Sequence, residues 1–292
     1  MIPVARVPFR LDVASGVVRG DIRLPTERQS AVSEGGPQDV ALVVCHGFKG
    51  FKDWGFFPAV CDELAMRIGC PVVSFNFSGS GVGSDLGSFS DPEAFATNTF
   101  SREVADLDAV LEGLAAGRLG EARLTPPSHV GLVGHSRAAI PVVLVGSRRP
   151  EVRAVATWAG LARPGRYAEL FPTDGDPNRP VEIRNLRTGE VLPLYRDVLH
   201  DLEENRDRLD PLTALRSGRL PLLVLHGQHD EAVSLDDAKL YATTGANTEL
   251  EVLESTGHTF DVRHPYAGST PALERAISST VAHFQKSVSR EL

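Results

Sequence analysis

His129-Val130-Gly131-Leu132-Val133-Gly134-His135-Ser136-Arg137-Ala138-Ala139-Ile140-Pro141-Val142-Val143 decides the fold. Val130 to Val133 is a short apolar run of the kind that fills a strand covered on both faces. A helix is expected from Ser136 to about Val145, so strand and helix meet with no room for a loop. Gly134-His135-Ser136-Arg137-Ala138 therefore has to make a sharp strand-to-helix turn, the position of a G-x-S-x-G elbow with alanine at its last place. Small residues let the helix and adjacent strands approach. The serine hydroxyl is lifted above the sheet, and the helix N-terminus lies where negative charge would develop.

Outward from this turn the pattern repeats. Val40 to Cys45, Pro71 to Phe77, Val152 to Trp158, Leu220 to Leu225 and Leu250 to Leu253 read as further strands. Helices are expected over Phe57 to Ile68, ended by Gly69, and on the stripe Val104, Leu107, Leu111 and Leu114. A closing helix is capped by Thr270 with Pro271 at its first position. Val4 to Val13 and Val17 to Leu24 alternate like a hairpin. The expected fold is α/β: a mainly parallel sheet with an antiparallel N-terminal edge and helices on both faces. Residues 161–217 break the rhythm with Pro164, Pro172, Pro177, Pro180 and Pro193, a hairpin signal at Thr188-Gly189 and a charged helical piece from Tyr195 to Arg208. They read as an inserted lid within a single domain of residues 1–292.

A serine hydroxyl needs an adjacent base to act as a nucleophile. Among nine histidines, His258 in Thr256-Gly257-His258-Thr259-Phe260 follows the last strand and precedes the last helix. Asp230 follows the strand before it, in Leu225-His226-Gly227-Gln228-His229-Asp230, with Glu231 as its neighbouring competitor. Nucleophile Ser136, orienting acid Asp230 and base His258 thus stand in the order Ser…Asp…His. His46-Gly47-Phe48 follows an early buried strand. The backbone N–H groups of Phe48 and Arg137 are the expected oxyanion donors, with both side chains left free for substrate. Trp54 and Phe56 are candidate walls of a substrate pocket, or packing at the start of a helix. The glycine-rich run Asn76 to Ser84 lacks the ending of a phosphate-binding loop and reads as a tight loop at the site rim. Arg163, Arg166, Arg184 and Arg187 read as a solvated basic face of the lid.

His46-Gly47-Phe48, the glycine-rich stretch near Phe75 to Ser84, Gly134-His135-Ser136-Arg137, His226-Gly227-Gln228-His229-Asp230 and Gly257-His258-Thr259-Phe260 together resemble the α/β-hydrolase superfamily. The resemblance is greatest to its bacterial esterase branch, which holds cinnamoyl/feruloyl esterases and dienelactone-hydrolase-like proteins. It spans about Val4 to Gln285. It implies the α/β-hydrolase fold, hydrolysis of a small-molecule ester through an acyl-enzyme, and a lid that shapes the pocket. Arg137-Ala138-Ala139 departs from the Gln-Gly-Gly or Arg-Gly-Gly common in that branch. Thioesterase, amidase or peptidase, C–C hydrolase and acyltransferase chemistry use the same triad. A ligand-binding protein that keeps the fold without turnover belongs to a different class.

Composition bounds the remaining choices. The chain has 292 residues, 42% of them hydrophobic and 23% charged, ordinary for a globular domain of this size. A formal charge of −8 speaks against nucleic acid and anionic membranes as partners. No run approaches the about eighteen apolar residues of a membrane span, and the first residues lack the pattern of a signal peptide. Cys45, Cys61 and Cys70 read as buried reduced thiols in a cytoplasmic protein. His226, His229 and Asp230 are explained by the triad, so neither metal nor cofactor is expected. Both a monomer and a homodimer fit the sequence.

Overall fold

A computed structural model describes residues 4–25, 39–174, 176–185, 189–218 and 220–288. The Ser/Gly/Pro patch at residues 30–37, Arg187 and Thr188 lie outside them. β1 (Val4–Val13) and β2 (Gly16–Pro25) form the expected antiparallel hairpin. β3 (Val40–Cys45) is buried at every residue and leads through a loop to α1 (Phe57–Ile68). Pro58 starts that helix, and Gly69 ends it with φ 78°, a left-handed cap suited to glycine. β4 (Val72–Asn76) is followed by α2 (Pro92–Ala96) and α3 (Phe100–Ala115), the latter capped by the Thr99 hydroxyl. A small ribbon, β5 (Arg118–Leu119) with β6 (Ala122–Arg123), precedes β7 (His129–His135) and α4 (Ala139–Arg148). β8 (Val152–Trp158) comes next.

The segment after β8 holds a 3-10 turn (Pro164–Leu170), β9 (Val181–Arg184), β10 (Val191–Leu194), α5 (Asp197–Glu204) and α6 (Pro211–Ser217). β9 and β10 pair with each other and stay apart from the main sheet. α6 packs on α4, and its Leu215 joins the core of the main domain. β11 (Leu222–Gly227), α7 (Leu235–Thr244), β12 (Thr248–Leu253) and α8 (Pro271–Val288) complete the chain. The Thr270 hydroxyl accepts from Leu273 N at 3.1 Å, which makes the expected cap.

The main sheet has eight strands in the order β1-β2-β4-β3-β7-β8-β11-β12. From β4 to β12 every pairing is parallel, and β1 and β2 form the antiparallel edge. Alternate residues feed two cores. Val40, Leu42 and Val44 face α1 and α8, while Ala41, Val43 and Cys45 face the side of α3 and α4. This double cover is why the central strands read as unbroken apolar runs. It also leaves the carboxyl ends of β3, β7, β11 and β12 on one rim, where loops can carry chemistry.

Candidate active site

β7 delivers Ser136 into a left-handed backbone conformation, φ 58°. Such a conformation is costly for serine and persists only where packing enforces it. Here the packing is backbone against backbone. A Cβ on Gly134 would stand 2.6 Å from the Ala138 carbonyl oxygen. Ala138 is fully buried, so the methyl that departs from the usual glycine is absorbed by the core. A short 3-10 turn, Ser136–Ala138, links the serine to α4. The Ser136 carbonyl accepts from Leu161 N at 3.0 Å.

The loop after β3 lies directly against this elbow. A Cβ on Gly47 would fall 2.8 Å from both Ser136 Cβ and the His135 carbonyl oxygen, so only glycine fits. Gly50 N donates to the Gly47 carbonyl and closes a turn that exposes Phe48 and Lys49 to the cleft. His46 anchors the turn from below. Its Nδ1 donates to the Gly47 carbonyl at 2.9 Å, and its Nε2 accepts from Phe77 N at 3.3 Å. Burial lowers the His46 pKa to about 4, with the Gly47 bond partly opposing. The buried Lys52 ammonium pairs with Asp21 and Asp53, and Lys52 N donates to Asn76 Oδ1, which pins the far side of the loop. Burial pushes the Asp21 carboxyl up, but hydrogen bonds from Arg6 and Lys52 outweigh it and the net shift is downward.

Asp230 and His258 meet above β11. His258 Nδ1 donates to Asp230 Oδ2 at 2.8 Å. The Asp230 side chain is fully buried, and its Oδ1 accepts from Ala232 N at 2.8 Å and Val233 N at 2.9 Å. Burial alone would raise the Asp230 pKa. The His258 hydrogen bond and charge, with the Val233 amide, reverse this and hold the carboxyl below its ordinary value. The His258 loop is tied to the elbow, since His135 Nε2 donates to the His258 carbonyl at 3.1 Å and the two rings lie 4.8 Å apart.

Ser136, His258, Phe48 and Arg137 line one cleft of about 340 Å³. Leu161, Tyr167, Leu170 and Ile183, from the segment after β8, line it together with Val233. Lys49, Arg166 and Glu169 bring charge to this cleft. Arg163 and Arg166 are exposed, as expected of a solvated face, and each is tethered to the main domain, Arg166 by a hydrogen bond to the Ala232 carbonyl and Arg163 by pairing with buried Asp237.

Two expectations need correction. Trp54 and Phe56 do not line the cleft. They are 3% and 0% exposed and sit in the aromatic core, Trp54 stacked on His264 and Phe56 against Phe57, His135 and Trp158. Arg137 has no free side chain. It is 2% exposed, pairs with Glu103 at 2.8 Å and lies over the rings of Phe100 at 3.9 Å and Tyr167 at 4.7 Å. Burial raises the Glu103 pKa, with Arg137 and Asn98 opposing. Sequence reasoning passed over Glu103, yet it sits on the buried stripe of α3, four residues before Leu107, where a buried acid signals a partner.

Among the described residues no group of three or more His, Cys, Asp or Glu side chains gathers as a metal site, and no helix is long and apolar enough to cross a membrane.

No protein-family model matches the chain, and no curated protein matches it in sequence. Solved structures do. Est1E from Butyrivibrio proteoclasticus matches with TM-score 0.69 and 17% identity, over 97% of this chain and 99% of that one, and has also been solved with ferulic acid bound. The esterase domain of a Rhodothermus marinus protein matches with TM-score 0.64 and 20% identity, over 98% and 99%. A putative dienelactone hydrolase from Klebsiella pneumoniae matches with TM-score 0.61 and 15% identity, over 97% and 99%. The chain has the α/β-hydrolase fold, in the form these bacterial proteins share.

Proposed function

We propose that this chain is a serine hydrolase that cleaves carboxylic esters through an acyl-enzyme. One observation carries the reading: a strained serine shares a cleft with a histidine whose far nitrogen is held by a buried, ionised aspartate. Asp230 accepts from Nδ1 and so leaves Nε2 of His258 as the basic nitrogen. His258 takes the Ser136 proton as Oγ adds to the ester carbonyl. The N–H groups of Phe48 and Arg137 receive the negative charge on the carbonyl oxygen. Collapse breaks the ester C–O bond, and His258 returns the proton to the leaving alcohol. Water then adds to the acyl-enzyme with His258 again as base, which releases the acid and restores Ser136. Every group these steps require is on the chain, so no cofactor is invoked.

Residues 161–217 act as the lid in this reading, because Leu161, Tyr167, Leu170 and Ile183 from their first half line the cleft that holds Ser136. The cleft volume lies at the small end of ligand sites, which span roughly 300–1,000 Å³. Its walls are aromatic and aliphatic, with Phe48 and Tyr167 at 5.4 Å edge to face. A small to medium acyl group, aromatic acyl of the cinnamoyl type included, suits such walls. The ferulic acid bound to Est1E, a protein of the same fold, supports that choice. The free, buried thiols of Cys45, Cys61 and Cys70 support a cytoplasmic setting.

The test is active-site labelling. A fluorescent fluorophosphonate should modify Ser136, located by peptide mass spectrometry, and His258→Ala should abolish the reaction. A panel of cinnamoyl, short-acyl, thioester and amide substrates then ranks the chemistries. Full ester turnover by Ser136→Ala would overturn the assignment.

A further inference from the structure

His226 is the last residue but one of β11, fully buried, and outside the steps above. Its Nε2 lies 2.9 Å from the Val233 carbonyl oxygen and 3.4 Å from Asp230 Oδ2. Both neighbours are acceptors, so Nε2 carries a proton: it donates to the Val233 carbonyl, and Asp230 Oδ2 faces the same N–H edge as an electrostatic neighbour. Val233 closes the loop, because its own N–H donates to Asp230 Oδ1. The turn from Asp230 to Val233 is therefore held at both ends, by its own carboxylate and by one imidazole beneath it. Nδ1 of His226 has no hydrogen-bond partner. An aliphatic side chain would fill the same space without leaving a polar atom unsatisfied, so the histidine has a cost that packing alone does not explain.

We propose that His226 is a positioning residue, which fixes the Asp230 carboxylate beneath His258 by holding the Asp230–Val233 turn from below. The proposal rests on the triad reading. Asp230 Oδ2 takes the His258 Nδ1–H and faces the His226 N–H, so it has two directions to satisfy and little freedom to rotate. Loss of that second N–H frees the carboxylate to swing with the turn. His258 is then less often aligned with Ser136. Substrate contacts change little, since His226 is buried beneath the turn.

Glutamine and asparagine separate this role from packing. The glutamine amide nitrogen reaches where Nε2 stands, whereas that of asparagine reaches only the place of Nδ1. His226→Asn is expected to lower kcat, and the rate of fluorophosphonate labelling at Ser136, by roughly 10²-fold with KM changed less than about threefold. His226→Gln is expected to stay within about tenfold of wild type on both readouts. Circular dichroism establishes that each variant is folded. Equal kcat in the two variants, wild-type kcat in folded His226→Asn, or a rise in KM alone would overturn the proposal. If the asparagine protein does not fold, folded His226→Gln decides: a loss of roughly 10²-fold overturns the role and near-wild-type kcat supports it. A wild-type protein that is not labelled at Ser136 removes the triad reading and this one with it. A labelled wild type with indifferent variants removes only this one.

Discussion

Acidification should unfasten the loop that carries Phe48, through His46. In the native state this ring is neutral, 4% exposed and satisfied on both nitrogens, Nδ1 by the Gly47 carbonyl and Nε2 by the Phe77 amide. A second proton on Nε2 would face an N–H donor. Its pKa is about 4 in the fold against an ordinary 6.5. The unfolded chain therefore binds the proton first, and stability is complete above pH 6.5 and falls as pH drops toward 4. At about 1.4 kcal/mol per pH unit, the loss from this one group is about 2 kcal/mol at pH 5 and about 3 kcal/mol by pH 4. Urea unfolding followed by circular dichroism, at a series of pH values from about 7.5 to about 4, measures it. His46→Asn keeps the donor to Gly47 and removes the titration, so its stability should be lower at neutral pH but flatter with pH. Burial lowers the His283 pKa as well and adds a slope of the same sign that both proteins share. Equal slopes for wild type and His46→Asn would refute the reasoning.

Removing Glu103 leaves the Arg137 guanidinium buried without its counter-charge. Glu103→Ala should cost about 3–5 kcal/mol in urea unfolding, and Glu103→Leu with Arg137→Met should recover most of it. Asp230→Asn should lower kcat by roughly 10⁴-fold in ester assays while the protein stays folded, because the His258 tautomer is no longer imposed. Gly47→Ala places a methyl 2.8 Å from Ser136 Cβ. Ester turnover should fall by roughly 10²-fold, and unchanged kcat would mean that the elbow yields. Tyr167→Ala opens the cleft wall facing Phe48 and should raise KM for aromatic acyl esters more than for acetyl esters, read from initial rates over a concentration series.

Much of the architecture was legible because its signals are local. Strands covered on both faces are mainly apolar, so β3, β4, β7, β8 and β11 announce themselves without reference to their partners. Gly69 and the Thr270-Pro271 pair mark helix ends by backbone conformation and capping. Ser136, Asp230 and His258 each follow a strand, and strands of one parallel sheet end on one rim, so chain order alone brings their loops to the same side. Local sequence cannot say what faces what across that rim. Phe56 reads equally well as a cleft wall or as core. It is core because Trp158 and His135 close over it, the first about a hundred positions away along the chain and the second about eighty. Arg137 reads as free until α3 brings Glu103 beneath it, and the cleft wall of Tyr167 and Ile183 exists only once the segment after β8 has packed over the rim. Periodicity and capping record what a residue's neighbours in the chain require. Burial, ion pairing and the shape of the cleft are set by contacts between distant segments, and those were decided only by the tertiary fold.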